Sequence, residues 1–281
     1  MLRGHGGGVV CLAVLSAAGL LVSGSLDRTA RVWDLATGGS PVMTLEGHKD
    51  SVRAAVGLPD GRVATASHDK TVRLWTIPPR APKPAPLPAS PPPTAAQLTF
   101  QSRAMEEAGK VTPAAASAAR ARTEVLQHDG EVNALALVEG GARLLAACAD
   151  YQVYVWAFKP GAPSLLDAQL HGHSNRVTAL VALPGGLFAS GSDDTTVRVW
   201  DLASLTCVSV LKGHAGGVHH PAALPGGRVA SADIKAGGRV RVWTLCKPGS
   251  EEDVAAALLS AEERVVEPSA EATGPPASGK K

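Results

Sequence analysis

Every tryptophan in this chain sits at the same place in a repeat. The five are Trp33, Trp75, Trp156, Trp200 and Trp243, with steps of 42, 81, 44 and 43 residues. A histidine precedes each one: His5, His48, His128, His173 and His214, at separations of 28, 27, 28, 27 and 29. The best copy is LFASGSDDTTVRVWD, ending at Asp201. It reads as two short strands around a tight turn, and the other copies end at Asp34, Thr76, Ala157 and Thr244. A fixed period of this size restricts a chain to architectures of stacked units that cannot bury their apolar faces alone. The long step of 81 is one period plus an insertion.

The residues that carry a family likeness are the pairs Gly4-His5, Gly47-His48, Gly172-His173 and Gly213-His214, with Trp33-Asp34 and Trp200-Asp201. On these the chain resembles the WD-repeat (beta-transducin-like) family over about residues 1–246, less the insertion. The resemblance implies an all-β propeller with one four-stranded blade per repeat. Five repeats are recognisable, so closure of the ring stays open, and the chain could be an incomplete ring. In the first repeat the strands fall at about 9–15, 20–24, 30–34 and 41–45.

The repeats divide the chain. Residues 1–77 hold repeats one and two, and 122–246 hold repeats three to five. Between them, residues 78–120 contain ten prolines and twelve alanines. Such a stretch buries too little apolar surface to offset its ordering entropy, so 78–121 reads as a disordered insertion. Its start, 78–93, has polyproline-II character and is a candidate tract for a Pro-binding module. The strand that follows Trp75 resumes at about 122–127, which hangs the insertion between the third and fourth strands of blade two. Pro221 falls in the first strand of repeat five, where it removes a ladder donor. Residues 247–281 read as a short amphipathic helix and a disordered end. Ser250 and Asp253 resemble an N-cap pair, and Val254, Leu258, Ala261 and Val265 recur at helical spacing. With a helix there, strand c of blade five (about 239–244) is left partly unpaired and open to self-association.

The run VVCLAVLSAAGLLV after Arg3 admits two readings. One is a signal peptide. The other is two buried strands of blade one, flanked by His5 and Trp33 at the repeat spacing. The second is preferred, and it places the protein in the cytoplasm or nucleus. The run is too short to span a membrane. The four cysteines lie far apart without a ligand spacing, so neither a disulfide frame nor a metal site is expected. A net charge of +2 gives no electrostatic case for nucleic acid.

The resemblance also implies a hydrogen-bonded relay in each blade. Blade one has His5, Ser23, Asp27 and Trp33; blade two has His48, Thr65, Asp69 and Trp75; blade four has His173, Ser190, Asp194 and Trp200. Blade three keeps His128, Asp150 and Trp156, with Ala146 in place of the hydroxyl. Blade five keeps His214, Ser231 and Trp243, with Asp233 the nearest carboxylate. The relay is architectural rather than catalytic: it recurs, and no oxyanion loop accompanies it. No cofactor is implied.

Function then falls to the surface. The resemblance places partner-contacting positions at Ser51, Arg53, His68, Glu131, Asn133, Arg176, Thr178, Asp193 and His219, with Gly8, Val10 and Leu26 forming a small apolar edge on blade one. The reading is a noncatalytic scaffold that binds proteins or peptides on its loop face. The alternatives are a substrate-recognition or ubiquitin-binding subunit of a degradation complex, and an RNA-associated propeller. Brief trypsin or elastase digestion should cut first within 78–122 and leave two fragments that stay associated on a sizing column; early cuts within 176–201 would reverse the assignment of order.

Overall fold

In the computed structural model, the residues described are 2–15, 19–36, 39–78, 123–159, 162–234, 240–245 and, for the backbone alone, 261–266. They form five antiparallel sheets of four strands each. Blade one is β1 (Val9–Leu15), β2 (Leu20–Ser25), β3 (Ala30–Asp34) and β4 (Met43–Leu45). Blade two is β5 (Val52–Gly57), β6 (Arg62–Ser67), β7 (Thr71–Thr76) and β8 (Thr123–Gln127). Blade three is β9 (Val132–Val138), β10 (Arg143–Cys148), β11 (Val153–Ala157) and β12 (Leu165–Leu170). Blade four is β13 (Val177–Leu183), β14 (Leu187–Ser192), β15 (Val197–Asp201) and β16 (Thr206–Leu211). Blade five is β17 (Ala222–Leu224), β18 (Arg228–Ala232), β19 (Val240–Leu245) and β20 (Ala261–Val266).

The second strands of blades one to four are buried on both faces, which is why RVATAS, RLLAAC and LFASGS show no polar alternation. The cover comes from the neighbouring sheets. β5 packs on β1 and β2, β9 on β5 and β6, β13 on β9 and β10, and β17 on β13. Four cores fill the four contacts. Val22, Val32 and Leu45 of blade one meet Val52, Val63 and Trp75 of blade two. Leu74 and Val72 face Leu144 and Trp156 across the next contact. Val153 and Val155 face Phe188 and Trp200, and Val197 and Val199 face Val229 and Trp243. No packing of this kind between blade five and blade one is present among the described residues.

β8 pairs with β7 through Thr71–Gln127 and Trp75–Thr123. Residues 78–122 therefore connect the third and fourth strands of blade two; apart from Pro78, they lie outside the described residues, as does the candidate Pro-binding tract. Blade five differs from the other four at its inner strand. Val218 makes an isolated bridge to Asp233, and β17 starts only after Pro221. The proline has no N–H to give, so a strand of seven residues in blades one, three and four shrinks to three here.

The tail corrects the sequence reading. Ala261–Val266 is a strand, not the end of a helix, and it pairs with β19 from Leu245–Ala261 to Val240–Val266. Ser250 to Leu258 lie outside the described residues. The pairing Val240–Val266 occupies the same register as Ala30–Leu45, Val72–Leu126, Val153–Leu170 and Val197–Leu211. Helical spacing of Val254, Leu258, Ala261 and Val265 was a competing pattern; the run Arg264-Val265-Val266 is short, β-branched and finds an open ladder. Strand β19 is therefore not an open edge, and self-association by edge pairing loses its basis. Val265→Pro should raise amide exchange across Val240–Leu245 and leave Val197–Asp201 unchanged, read by hydrogen exchange with mass spectrometry; unaltered exchange in β19 would mean that β20 does not hold it.

Candidate functional site

The site candidates fall into two sets: the buried relays and the loop face. In blade one the Trp33 indole N–H donates to Ser23 Oγ at 2.7 Å, and Ser23 Oγ donates to His5 Nε2 at 2.7 Å. His5 Nδ1 then donates to Asp27 at 2.8 Å. Blade two repeats the chain as Trp75, Thr65, His48 and Asp69 at 2.7, 2.8 and 2.9 Å. Blade four does so as Trp200, Ser190, His173 and Asp194 at 2.8, 2.7 and 2.7 Å. In blade five Trp243, Ser231, His214 and Asp233 are joined at 2.8, 2.7 and 3.2 Å. A buried indole needs an acceptor, and the hydroxyl supplies it while fixing the imidazole tautomer.

The carboxylates are anchored beyond the histidine. Asp27, Asp69 and Asp194 each accept the hydroxyl of Thr29, Thr71 or Thr196 at 2.6 Å. Each also accepts the backbone N–H that follows the repeat histidine, from Gly6, Lys49 or Ser174. Burial pushes the carboxyl of Asp194 up, but the hydrogen bonds from His173 and Thr196 outweigh it and hold the group well below the usual range. Asp27 is held low in the same way by Thr29 and His5. The threonines are part of the relay that the sequence reading passed over. Their signal was present as the spacing D-x-T in three repeats.

A second constraint explains the glycine of the Gly-His pairs. Two residues before Trp stand Arg31, Arg73, Arg198 and Arg241. A Cβ on Gly4, Gly47, Gly172 or Gly213 would lie 2.7 to 2.9 Å from the guanidinium of its arginine. The arginine lies across the glycine, so a larger residue would have to push the guanidinium aside, and at Gly47, Gly172 and Gly213 the positive φ also favours glycine.

Blade three departs at four linked positions. Tyr154 replaces the arginine, Gln127 the glycine, Ala146 the hydroxyl and Gln152 the threonine. Without a hydroxyl, the Trp156 N–H donates straight to His128 Nε2 at 3.1 Å. Asp150 is not bonded to His128; it accepts the Tyr154 O–H at 2.6 Å. His128 Nδ1 is buried without a hydrogen-bond partner among the described residues. Burial depresses the His128 imidazole to about 4, against the pull of the Asp150 charge. The tyrosine thus takes over the carboxylate, and the histidine becomes the terminal acceptor.

The loop face is less open than its sequence pattern implied. Arg53 and Arg176 are exposed, while Ser51 is buried. Asn133 Nδ2 donates to Val177 O at 2.9 Å, from blade three to blade four. The Thr178 hydroxyl bonds Val218 O, from blade four to blade five. Asp193 joins Arg176 Nε at 2.9 Å to His219 Nε2 at 2.9 Å, and His68 lies 3.8 Å from Glu131. Val10, Arg53, Asn133 and Thr178 all occupy a β-bulge, seen as register shifts at Val9/Cys11, Val52/Ala54, Ala147/Cys148 and Val177/Ala179. The bulge turns one residue of each inner strand out of the ladder. Val10 and Leu26 are exposed, and the Leu26 N–H bonds Gly8 O at 2.9 Å. Among the described residues no cluster of His, Cys, Asp or Glu is arranged to hold a metal ion, and no helix is long and apolar enough to cross a membrane.

A sequence profile of the family described as "WD domain, G-beta repeat" matches residues 1–34, 39–76, 121–157 and 166–201. Nuclear distribution protein PAC1-2 of Uncinocarpus reesii is 34% identical over 202 residues, covering 70% of this chain and 39% of that protein. Mitochondrial division protein 1 of Neurospora crassa is 28% identical over 213 residues, covering 75% and 24%. Ribosome biogenesis protein ytm1 of Emericella nidulans is 28% identical over 222 residues, covering 67% and 39%. The chain thus spans about two fifths or less of the length of these curated relatives.

Because His128 is depressed in the fold, the unfolded chain takes up a proton first, near its ordinary value of about 6.5. The stability it contributes is complete above that value and is lost as pH falls toward 4. This amounts to roughly 2 kcal/mol between pH 7 and pH 5. His128→Gln, which keeps an acceptor for the indole, should show a smaller fall in melting temperature over that interval than the wild type; an equal fall would remove His128 as its source.

Proposed function

Since the chain belongs to the WD-repeat family, we propose that it is a noncatalytic propeller scaffold that binds partner proteins or peptides through its loop face. What carries the reading is the employment of its triad-like residues. Each Ser–His–Asp or Thr–His–Asp set has its hydroxyl engaged twice, by the indole and by the imidazole. Ser190 and Thr65 are fully buried. At Ser190 and Thr65 a hydroxyl so buried has no access to substrate, which a nucleophile needs.

The loop face has the composition of a recognition surface. Val10 and Leu26 form an exposed apolar corner on blade one. Arg53 follows at the corresponding bulge of blade two and lies close enough to Cys11 to act on its thiol electrostatically. An apolar centre with a polar, charged margin suits a peptide or loop, with the cross-blade bonds of Asn133, Thr178 and Asp193 keeping the platform rigid. The names of the three relatives denote roles in nuclear distribution, mitochondrial division and ribosome biogenesis, and none denotes a catalytic activity.

The test is affinity capture with mass spectrometry, comparing wild type with the double variant Leu26→Glu, Arg53→Glu. Both side chains are exposed, so the melting temperature should hold. At least one captured protein should be lost, and its capture by the wild type should survive nuclease treatment. An unchanged set of captured proteins would move the binding site off this corner, and nuclease-sensitive capture would favour an RNA-associated role.

A further inference from the structure

The loop face is divided between side chains that are bonded within the molecule and side chains that are not. The β-bulge turns out one residue of each inner strand: Val10, Arg53, Asn133 and Thr178 in blades one to four. Asn133 and Thr178 are committed to the following blade, donating to Val177 O and Val218 O. Val10 has no donor to give, and Arg53 makes no hydrogen bond or ion pair among the described residues. Val10 and Arg53 are exposed, whereas Asn133 and Thr178 are half-buried. The residue before the turn aspartate repeats the division. Asp193 bonds His219 of blade five, and His68 lies 3.8 Å from Glu131 of blade three. Leu26 of blade one is 50% exposed.

Val10 and Leu26 occupy the positions from which Thr178 and Asp193 reach blade five, so the blade they stand beside is blade two. That neighbour is in place. A Cβ on Gly24 would lie 2.7 Å from the Val52 side chain, and Arg53 is near enough to Cys11 to act on its thiol. The corner is therefore open with blade two packed against blade one. It presents an apolar pair, Val10 and Leu26, with a guanidinium at its side.

The same half of the face carries uncompensated positive charge. Arg28, Lys49, Arg53 and Lys70 are exposed there, against the exposed carboxylates of Glu46 and Asp50. None of the four cations enters an ion pair among the described residues. The relay carboxylate beneath the two lysines is already engaged: Asp69 accepts His48, the Lys49 N–H, and both the N–H and the hydroxyl of Thr71. Further round the face the pattern changes. Arg176 is held by Asp193 at 2.9 Å, and the blade-three segments 127–131 and 149–152 contain no lysine or arginine.

We infer that the loop-face corner of blades one and two recognises a protein segment that carries an apolar side chain flanked by carboxylates. The inference rests on the loop-face reading proposed above and names the chemistry of its partner. The apolar side chain covers Val10 and Leu26, removing three hydrocarbon surfaces from water at once. A carboxylate beside it meets Arg53, whose planar fork accepts both carboxylate oxygens. Lys49 and Lys70 add a field that draws an acidic segment to the corner and orients it. A nucleic acid would satisfy the cations but has no aliphatic group for Val10 and Leu26. Nor does the corner offer an aromatic ring on which a base could stack; the exposed aromatic side chain among the described residues is Tyr151, on blade three.

The experiment is selection of phage-displayed random peptides against the full chain, followed by fluorescence polarisation of the enriched peptides. Enriched sequences should place Asp or Glu beside Leu, Ile, Phe or Trp. Leu26→Ala and Arg53→Ala should each weaken their binding by more than about tenfold. Arg176→Ala, which removes an arginine already held by Asp193, should weaken it by less than about twofold, and all three variants should keep the wild-type melting temperature. Arg53→Glu should regain binding when the acid beside the apolar residue is replaced by Lys, which a mere loss of shape would not allow. Enriched peptides that are neutral or basic, or that bind Leu26→Ala and Arg53→Ala as tightly as the wild type, overturn the inference. Failure to enrich any sequence overturns it as well. The affinity capture described above judges the scaffold reading separately: a protein lost from the Leu26→Glu, Arg53→Glu variant upholds that reading even when the selected peptides are not acidic. Nuclease-sensitive capture overturns both and gives the corner to nucleic acid.

Discussion

The indole N–H of each repeat tryptophan is the group around which a blade is assembled. It is a buried donor, and an unmet hydrogen bond there costs about 1–3 kcal/mol. The chain meets it from a distance: the acceptor comes from the second strand, the acceptor's own partner from the histidine about 28 residues upstream, and the far end from the aspartate of the turn. Three separate segments are tied to one strand by this demand. It also fixes what surrounds them. The Asp must lie where it can accept the backbone N–H after the histidine, the Thr two residues later must lock the Asp, and the glycine must leave room for an arginine.

Blade three is what this constraint looks like when one member changes. Losing the hydroxyl at Ala146 leaves the indole to find another acceptor, and the imidazole moves into that role. The carboxylate then needs a new donor, and Tyr154 supplies it from the position of the arginine. Once the arginine is gone the glycine is no longer required, and Gln127 stands there. Read singly, these substitutions look like decay. Read together, they are one rearranged solution to the same buried donor, with a histidine whose proton affinity is lowered by burial.

The blade count, the strands of blades one to four and the histidine–tryptophan pairs were legible in the sequence because they rest on local repetition: a fixed spacing, turn residues and apolar runs of strand length. Two things were not. The strand at Ala261–Val266 was masked by a helical recurrence of Val254, Leu258, Ala261 and Val265, since AEERVV puts three charged residues before its two valines and carries no period strong enough to choose. Its pairing with β19 is set by an available ladder nearby in space, which spacing along the chain does not encode. The cross-blade bonds of the loop-face positions were not legible for a similar reason. Asn133, Thr178 and Asp193 read as outward-facing polar residues, but their partners Val177, Val218 and His219 belong to the next blade. Contacts across blades are the part of this fold that the repeat does not spell out.

Those same contacts set the difference between the middle of the stack and its ends. A sheet in this architecture is stable only when both faces are covered, so blades two, three and four each satisfy two neighbours. Among the described residues, blades one and five each meet one. Their ladders are complete, because β4 and β20 pair at both outer strands. The exposed residues on their remaining faces are β-branched or large: Val9, Leu12 and Val14 on blade one, Val240 on blade five. Surface charge could have masked such faces, yet along β1 all seven positions are apolar. A strand of that composition is written for burial on both sides, and the geometry of the four internal contacts specifies the shape of whatever buries it.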